Sequence, residues 1–477
     1  MKKFIAIILA AILVLSLAAC SGTGSTGTNT EANNTQSTQD NPGGPGGNPP
    51  DGTPPAGGPG GPGGPGGPGG SASDVTYTGS VEITSADSRS SEAYASTTAD
   101  ESALIVNTSD AVTLENITVT KSGDSDGGDS CNFYGLNAAL LVMGGSTTTI
   151  TGGTIESNAF GANGVFSYGG NGGSNGAAGD GTTVIIKDVT ITTTGSGSGG
   201  IMTTGGGVTK AYDLNVTTNG QSSAPIRTDR GGGTVYVEGG TFTSNGLGSP
   251  AIYSTADITV KGAKLISNLS EGVCIEGKNS ITLTDCDLTA NNTQMNGNAS
   301  FLDSIMIYQS MSGDADSGTS AFNMTGGSLT SRNGHVFHVT NTNAIITLEN
   351  VTIVNEDANG VLLSVCADGW SGASNIATLN AVNQSLSGNI LVGSDSTLTL
   401  SLTNGSSFTG AIDGNITNAK GASVSTEVGA VSVTMDSGST WTLTGDTYIT
   451  EFNGDASSII SNGHKLYVNG VALTGTR

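Results

Sequence analysis

A short pattern of hydrophobic and polar positions recurs along the chain between residues 114 and 353. Each copy reads apolar, polar, turn-forming residue, variable, polar, apolar, which predicts two short strands that meet at a sharp corner. The base period is about 24 residues and three members are longer, as expected for coils that carry inserted loops. The copies span residues 114–119, 150–155, 186–191, 211–216, 237–242, 260–265, 283–288, 324–329 and 348–353.

Two further columns follow the last apolar position of each copy. An asparagine comes three residues later at Asn158, Asn219, Asn245, Asn268 and Asn291. Such columns arise when turns of chain stack in register, so that apolar side chains line a core and amides bond from turn to turn. Ten residues after the same position lies another apolar residue, at Val165, Ile201, Ile226, Ile252, Ile275, Val339 and Leu363.

These columns predict an all-β fold, a single-stranded right-handed parallel β-helix over residues 74–396. Strand-like runs continue over residues 397–477, where we expect smaller terminal rungs and a C-terminal cap that protects the open sheet edge. A two-sheet β-sandwich array is the alternative fold, although the Asn-Gly hairpin signals that it requires are sparse.

The repeat pattern resembles that of the right-handed β-helix proteins of the pectate-lyase-like superfamily. Within that superfamily, it is most similar to the adhesin-like or carbohydrate-binding β-helix lipoproteins of clostridia-like bacteria. The resemblance covers roughly residues 74–450 and implies a β-helix fold and a role at the cell surface.

The N-terminal segment has the features of a bacterial export signal. Lys2 and Lys3 precede an apolar stretch over residues 4–17, which is too short to cross a bilayer comfortably. Leu17-Ala18-Ala19-Cys20 resembles a lipobox, which implies a signal peptide over residues 1–20 and an extracytoplasmic protein anchored to the cell membrane by lipid on Cys20. Residues 21–73 are rich in Ser and Thr, then in Gly and Pro, and predict a flexible linker that exposes the rest at the cell surface.

The charge balance narrows the range of partners. The chain has 15 basic and 39 acidic side chains and a formal net charge of -24. Nucleic acid is therefore not an expected partner, because phosphate binding requires a basic face. An acidic extracellular protein suits cations, and calcium is the cofactor that we expect, if any. We expect a monomer.

The repeat register also predicts which side chains point outward. Side chains one and three positions beyond the second apolar column should share an outer face about four rungs long. Aromatic rings with arginine and carboxylates are typical of a sugar-binding face, because rings stack on sugars and polar groups bond to hydroxyls. An outer ladder of ion pairs is the alternative interpretation. The candidate ligand-binding residues are Arg227, Asp229, Arg230, Tyr253, Glu276, Lys278 and Tyr308.

The sequence alone is compatible with three functions. The favoured one is an adhesin or carbohydrate-binding protein that uses this outer face, with a polysaccharide or cell-surface glycan as its ligand. A polysaccharide lyase or glycoside hydrolase on the same face is the first alternative, although no catalytic motif of the family can be assigned. A surface spacer without a specific ligand is the second alternative.

Three smaller features complete the candidate chemistry. Asp124, Asp126 and Asp129 alternate with Ser and Gly in a tight acidic turn, which resembles part of a calcium loop. His335 and His338 lie in a strand-like run, where alternation should place them on opposite faces. The remaining cysteines, Cys131, Cys274, Cys286 and Cys366, show no spacing that assigns a disulfide, so buried thiols are expected.

Overall fold

The computed structural model describes residues 75–172 and 178–477, so the predicted signal peptide, Cys20 and the whole of the predicted linker lie outside the described residues. The described chain forms a parallel β-helix, in which each turn contributes strands to as many as three faces. The strands of these faces pair in parallel with the turns before and after them, which excludes the β-sandwich alternative.

Face 1 is a sheet of thirteen strands, one from each successive turn. Its strands are Thr78–Ile83, Glu101–Asn107, Leu140–Met143, Val165–Tyr168, Ile201–Thr204, Ile226–Thr228, Ile252–Ser254, Val273–Glu276, Asp303–Tyr308, His335–Thr340, Val361–Val365, Asn389–Val392 and Ile412–Asp413.

Faces 2 and 3 are joined by two long strands, Ala111–Lys121 and Thr147–Ser157, which run across the corner between them. The other face 2 strands are Asp87–Ser90, Thr183–Lys187, Gly207–Tyr212, Gly233–Glu238, Asp257–Lys261, Ser280–Thr284, Thr319–Thr325, Asn343–Glu349, Asn375–Val382, Ser396–Thr403, Ala430–Met435 and Glu451–Asn453. The other face 3 strands are Ala93–Ser96, Thr190–Thr193, Asn215–Thr218, Thr241–Ser244, Lys264–Ser267, Asp287–Ala290, Ser328–Ser331 and Thr352–Asn355.

The C-terminal turns carry smaller sheets. A four-stranded parallel sheet contains Ser385–Ser387, Ser407–Thr409, Thr440–Thr442 and Ile459–Ile460. Thr447–Ile449, Leu466–Val468 and Val471–Ala472 form a three-stranded sheet, in which the last pair is antiparallel. An antiparallel hairpin pairs Asn415–Thr417 with Ser423–Thr426. Two short helices, Asp129–Phe133 and the 3-10 turn Ala456–Ser458, complete the described elements.

The corner between faces 2 and 3 explains the repeated sequence pattern. The third residue of every copy has a positive φ of 51–69°. Only Gly, Asn and Asp adopt this left-handed conformation routinely, and only these residues occupy the position. The corner residues are Asn116, Gly152, Asp188, Asp213, Gly239, Gly262, Asp285, Gly326 and Asn350.

The core lies between the three faces and contains the predicted apolar columns. Ile226, Ile252 and Ile275 are fully buried in it, as the repeat register predicts. The register nevertheless changes by two residues, because Ile252 pairs with Val273, and Ile275 lies opposite Ser254. A two-residue change preserves which side chains face inward, so the core remains continuous.

Most strands of face 1 differ from those of faces 2 and 3 in being buried on both sides. Strands such as Val273–Glu276 and Asp303–Tyr308 are buried at every position, whereas face 2 strands such as Asp257–Lys261 alternate between buried and exposed. Inserted segments cover the outer surface of face 1 and pack small apolar clusters against it. We call these segments the roof; they comprise residues 122–138, 291–302, 309–318, 366–374 and the hairpin of residues 415–426.

Candidate functional site

The seven candidate residues project from the outer side of face 1 or from the turns that follow its strands, but most lie beneath the roof. Five of them are less than 9% exposed, namely Arg227, Asp229, Tyr253, Glu276 and Tyr308. Arg230 is partly buried and Lys278 is exposed. The expectation of an open face is therefore wrong for the five, because the insertions that the sequence shows as long repeats fold back over these strands.

Arg227 and Asp229 form a buried ion pair at one end of the cluster. Arg227 Nη2 donates to Asp229 Oδ2 at 2.8 Å, and both side chains are about 7% exposed or less. Arg227 Nη1 also donates to Asn132 Oδ1 in the roof at 3.1 Å. A charge buried in this way requires such partners, so the pair ties the first roof segment to face 1.

Glu276 is the centre of the cluster. Its Oε2 accepts hydrogen bonds from the hydroxyls of Tyr253 at 2.5 Å and Tyr308 at 3.1 Å. Its Oε1 accepts from Ser310 and, at 3.3 Å, from Ser312 in the roof. Four donors from the strands and from one inserted loop therefore converge on a single buried carboxyl group.

Two ion pairs hold the loop of residues 309–318. Arg230 Nη2 donates to Asp314 Oδ1 at 2.7 Å, and the same guanidinium lies 4.1 Å from the ring centre of Phe133. Lys278 Nζ lies 2.8 Å from Asp316 Oδ2 near the surface. The alternative interpretation of the sequence, ion pairing among the candidate residues, thus holds for Arg227 with Asp229, while Arg230 and Lys278 pair with the loop.

Burial changes the acid–base behaviour of this cluster. The pKa of Asp229 rises from 3.8 to about 7, because burial outweighs the opposing effect of Arg227. Burial also raises the pKa of Glu276, against the hydrogen bonds from Ser310 and Tyr253. Raised carboxyl pKa values are typical of acid–base sites, but a polysaccharide reaches these carboxyls only if the roof is displaced.

The three aspartates of the acidic turn lie in different surroundings. Asp124 Oδ1 accepts the backbone N–H of Phe160 at 2.8 Å, and Asp126 is exposed. Burial raises the pKa of Asp129, which also faces Asp314 and the two arginines of the cluster. Within residues 75–172 and 178–477, no group of three or more His, Cys, Asp or Glu side chains is arranged to hold a metal ion.

A second buried polar cluster was missed by the sequence analysis. His335 Nδ1 and His338 Nδ1 each lie 2.7 Å from Ser364 Oγ, so the two histidines share one side of face 1. The prediction of opposite faces is wrong, because Val336 and Phe337 both belong to the core and break the alternation. His338 Nε2 lies 3.4 Å from Asp368 Oδ2, and both side chains are fully buried.

The signal for this covered surface is present in the sequence. Residues 361–366 form a nearly continuous apolar run rather than an alternating one, which indicates a strand buried on both sides. The four cysteines among the described residues are also buried, and all four are free thiols. Cys286 belongs to the core, Cys274 lies beneath the roof, and Cys366 begins one of the roof segments, where it packs against Phe301 and Ile416.

An open cleft adjoins the roof, where the loop of residues 309–318 meets residues 373–376 at the edge of face 2. Its volume is about 310 Å³, and it has no charged side chain in its lining. The lining is formed by Gln309, Ser317, Gly318, Thr319, Asn341, Thr342, Asn343, Ala373, Ser374 and Ile376.

Buried amides fix the walls of this cleft. Asn341 is 2% exposed, and its Nδ2 donates to Gln309 O at 2.7 Å and to Ser371 O at 3.3 Å. Its Oδ1 accepts the backbone N–H of Ala373 at 2.6 Å. On the open side, Asn343 Nδ2 donates to Thr319 Oγ1 at 3.1 Å, and both residues are exposed. The cleft is therefore rigid inside and presents amide and hydroxyl groups to solvent.

A second cleft, of about 390 Å³, lies along face 3 and includes Glu156, Asn158 and Thr192. Turns of the coil itself form most of its lining. Lys121 lines it, but the ammonium group is engaged by the carbonyls of Thr98, Ser122 and Gly123.

Among the described residues, no helix is long and apolar enough to span a membrane. No protein-family model, curated protein or solved structure matches the chain.

Proposed function

We propose that the protein is a cell-surface glycan-recognition protein, an adhesin or carbohydrate-binding protein, whose ligand occupies the cleft beside the roof. One observation carries the proposal: the long insertions gather on face 1 and leave an open cleft lined by amides and hydroxyls. In solenoid proteins, insertions that gather on one face often form the binding face. A position at the cell surface rests on the lipobox resemblance around Cys20.

The lining chemistry favours a neutral sugar. Asn343, Thr319 and Ser374 offer donors and acceptors that match vicinal hydroxyl groups, and no ionic group competes. Ile376 supplies a small apolar surface for the C–H face of a sugar ring. Because Asn341 already holds the walls in place, binding costs little ordering of the protein.

A glycan array tests this proposal directly. The labelled full chain is applied with and without calcium, and the strongest neutral hit is then titrated by calorimetry. The double variant Asn343→Ala/Thr319→Val should bind this glycan about tenfold to a hundredfold more weakly, because two exposed hydrogen-bonding groups of the cleft are lost.

The matched control is Asn380→Ala, which removes an outward-facing amide from the strand that contains Ile376 but lies outside the cleft. This variant should bind as the parent does. Equal affinity of the parent and the cleft variant, or binding of no neutral glycan on the array, would contradict the proposal and favour the spacer alternative.

A further inference from the structure

An exposed patch of tyrosines and lysines crosses four successive strands of face 2, away from the roof. It consists of two outward columns that run along the stack of the coil. In one column, Lys187 pairs with Tyr212, then Glu238, then Lys261; in the other, Lys210 pairs with Tyr236. We call these six residues the tyrosine–lysine patch.

The two tyrosines form the centre of the patch. Their ring centres are 6.0 Å apart on neighbouring strands. Lys187 Nζ lies 5.3 Å from the ring centre of Tyr212, and Lys261 Nζ lies 5.4 Å from that of Tyr236. Both rings are partly open to solvent, so the patch offers aromatic surface flanked by cations.

The lysines of the patch lack acidic partners. Among the described residues, Lys187, Lys210 and Lys261 form no ion pair, whereas Arg227, Arg230, Lys278 and Arg332 each form one and Arg89 forms two. This contrast is notable in a chain with 39 acidic and 15 basic side chains, where a carboxylate partner is readily supplied.

The carboxylates near the patch are occupied or peripheral. Glu238 accepts the hydroxyl of Tyr236 at 2.7 Å. Asp188 and Asp213 belong to the left-handed corner column at the border of face 2, where Asp213 Oδ1 lies against Gly239 of the next turn. The outward surface between these corners therefore carries three lysines and two aromatic rings, with Glu238 as its acidic member.

We propose that the tyrosine–lysine patch is a second binding surface, which takes a linear polysaccharide that carries anionic groups. Its pyranose rings pack on Tyr212 and Tyr236, and its sulfate or carboxylate groups meet the three lysines. Adjacent strands are about 4.8 Å apart, so Lys187 and Lys261 are separated by about 14 Å along the stack. This span suits several units of an extended chain rather than one small anion.

The proposal is independent of the cleft beside the roof, because the two surfaces share no residue. It also runs against the net charge of -24, which repels polyanions in general. Binding of a polyanion to this protein therefore requires a local site, and the patch combines three exposed lysines that form no ion pair within the described part of the chain with two partly exposed aromatic rings.

The test uses three dextrans with one backbone: dextran sulfate, carboxymethyl dextran and neutral dextran. Each is titrated against the full chain by calorimetry at low and at physiological ionic strength. At least one anionic dextran should bind and weaken with added salt, and neutral dextran should not bind comparably. Which anionic form binds more tightly distinguishes sulfate from carboxylate recognition.

Two variants locate the site. Lys187→Gln/Lys210→Gln/Lys261→Gln should weaken binding about tenfold or more, since three surface charge contacts are lost. Tyr212→Ala/Tyr236→Ala should weaken it by a similar factor, through the loss of ring packing. All five side chains point outward, and circular dichroism checks that the fold is retained.

The matched control is Tyr448→Ala/Lys465→Gln, which removes an exposed tyrosine and an exposed lysine near the C-terminus. It should bind as the parent does, and so should the cleft variant Asn343→Ala/Thr319→Val. Absence of binding by both anionic dextrans, or equal losses in the patch and control variants, would overturn the proposal. Loss of array binding in the cleft variant alone would leave the patch intact, so the two proposals fail separately.

Discussion

Glu276 accepts a hydrogen bond from Tyr253 at 2.5 Å, although these two residues are not directly opposite each other in the sheet. Tyr253 pairs with Cys274, and Glu276 pairs with Tyr308 on the following turn. The bond is therefore a diagonal one, because the register of face 1 changes by two residues between these two strands. Tyr308, directly opposite Glu276 on the following turn, supplies a second tyrosine hydroxyl to the same carboxyl group.

The buried Asp229 carboxyl predicts a loss of stability as pH rises. Its pKa in the folded protein is raised from 3.8 to about 7, so the folded state binds a proton that the unfolded chain has released. This contribution to stability is fully present below about pH 4 and is lost as pH rises to about 7. The difference in unfolding free energy between the parent and Asp229→Asn should fall across this window, at up to about 1.4 kcal/mol per pH unit.

Urea unfolding of both proteins across the window measures this difference. Asp316→Asn is the control, because it makes the same chemical change at an exposed carboxyl group. Parallel pH profiles for the parent and Asp229→Asn would show that Asp229 is not the titrating group.

The ion pair between Arg230 and Asp314 predicts local opening of the roof when it is removed. This pair is partly buried, so Asp314→Ala should speed amide hydrogen exchange within residues 309–318 about tenfold or more. Asp316→Ala removes the neighbouring pair with Lys278, which is about half exposed and should have little effect. Amide hydrogen exchange of the two variants is compared by mass spectrometry. Similar exchange rates within residues 309–318 in both variants would show that the Arg230–Asp314 pair does not hold the loop more firmly than the exposed pair.

The asparagine column predicts a measurable contribution to the stability of the coil. Asn245 Nδ2 donates to Asn219 Oδ1 at 2.8 Å, and Asn268 Nδ2 donates to Asn245 Oδ1 at 2.7 Å. Asn245→Ala should lower the free energy of unfolding by about 1 kcal/mol, a modest value because these bonds are exposed. Thr243→Ala, an outward-facing change on the preceding strand, serves as the control in urea unfolding. An equal loss of stability in both variants would show that the asparagine column does not stabilise the coil.

His335 is predicted to stay neutral over the physiological range. Burial, and secondarily His338, lower its pKa from 6.5 to about 3. Because the folded state resists protonation, this residue favours folding above its ordinary pKa, and that contribution declines as pH falls from about 6.5 to about 3. NMR titration should show no shift of the His335 resonance near neutrality, and the variant His335→Gln identifies this resonance. A midpoint close to 6.5 for His335 would contradict the buried environment.

The sequence predicts the coil well because its signals are local and repeated. The corner residues, such as Asp213 and Gly239, occur at one fixed position of each copy, and each adopts the left-handed conformation. The columns through Ile226 and Ile252 define the core for the same reason. The sequence pattern does not reveal a register change of two residues, because side chains on a strand alternate with the same period of two.

The roof could not be predicted from the repeats. Arg227 bonds to Asn132, which is 95 residues away in an insertion that shares no pattern with the coil. A loop of this kind is positioned by its contacts with the finished face, such as Phe133 against Arg230 and Trp370 against Tyr308. Outward-pointing side chains were therefore identified by the register, whereas their exposure depended on chain that the register does not describe.

The most direct test of glycan recognition is a hydrogen-exchange footprint of the full chain with the neutral glycan selected on the array. If the glycan binds in the cleft, protection from hydrogen exchange should be confined to residues 317–319, 341–343 and 373–376. Protection elsewhere on the coil, or no protection at a saturating glycan concentration, would contradict it.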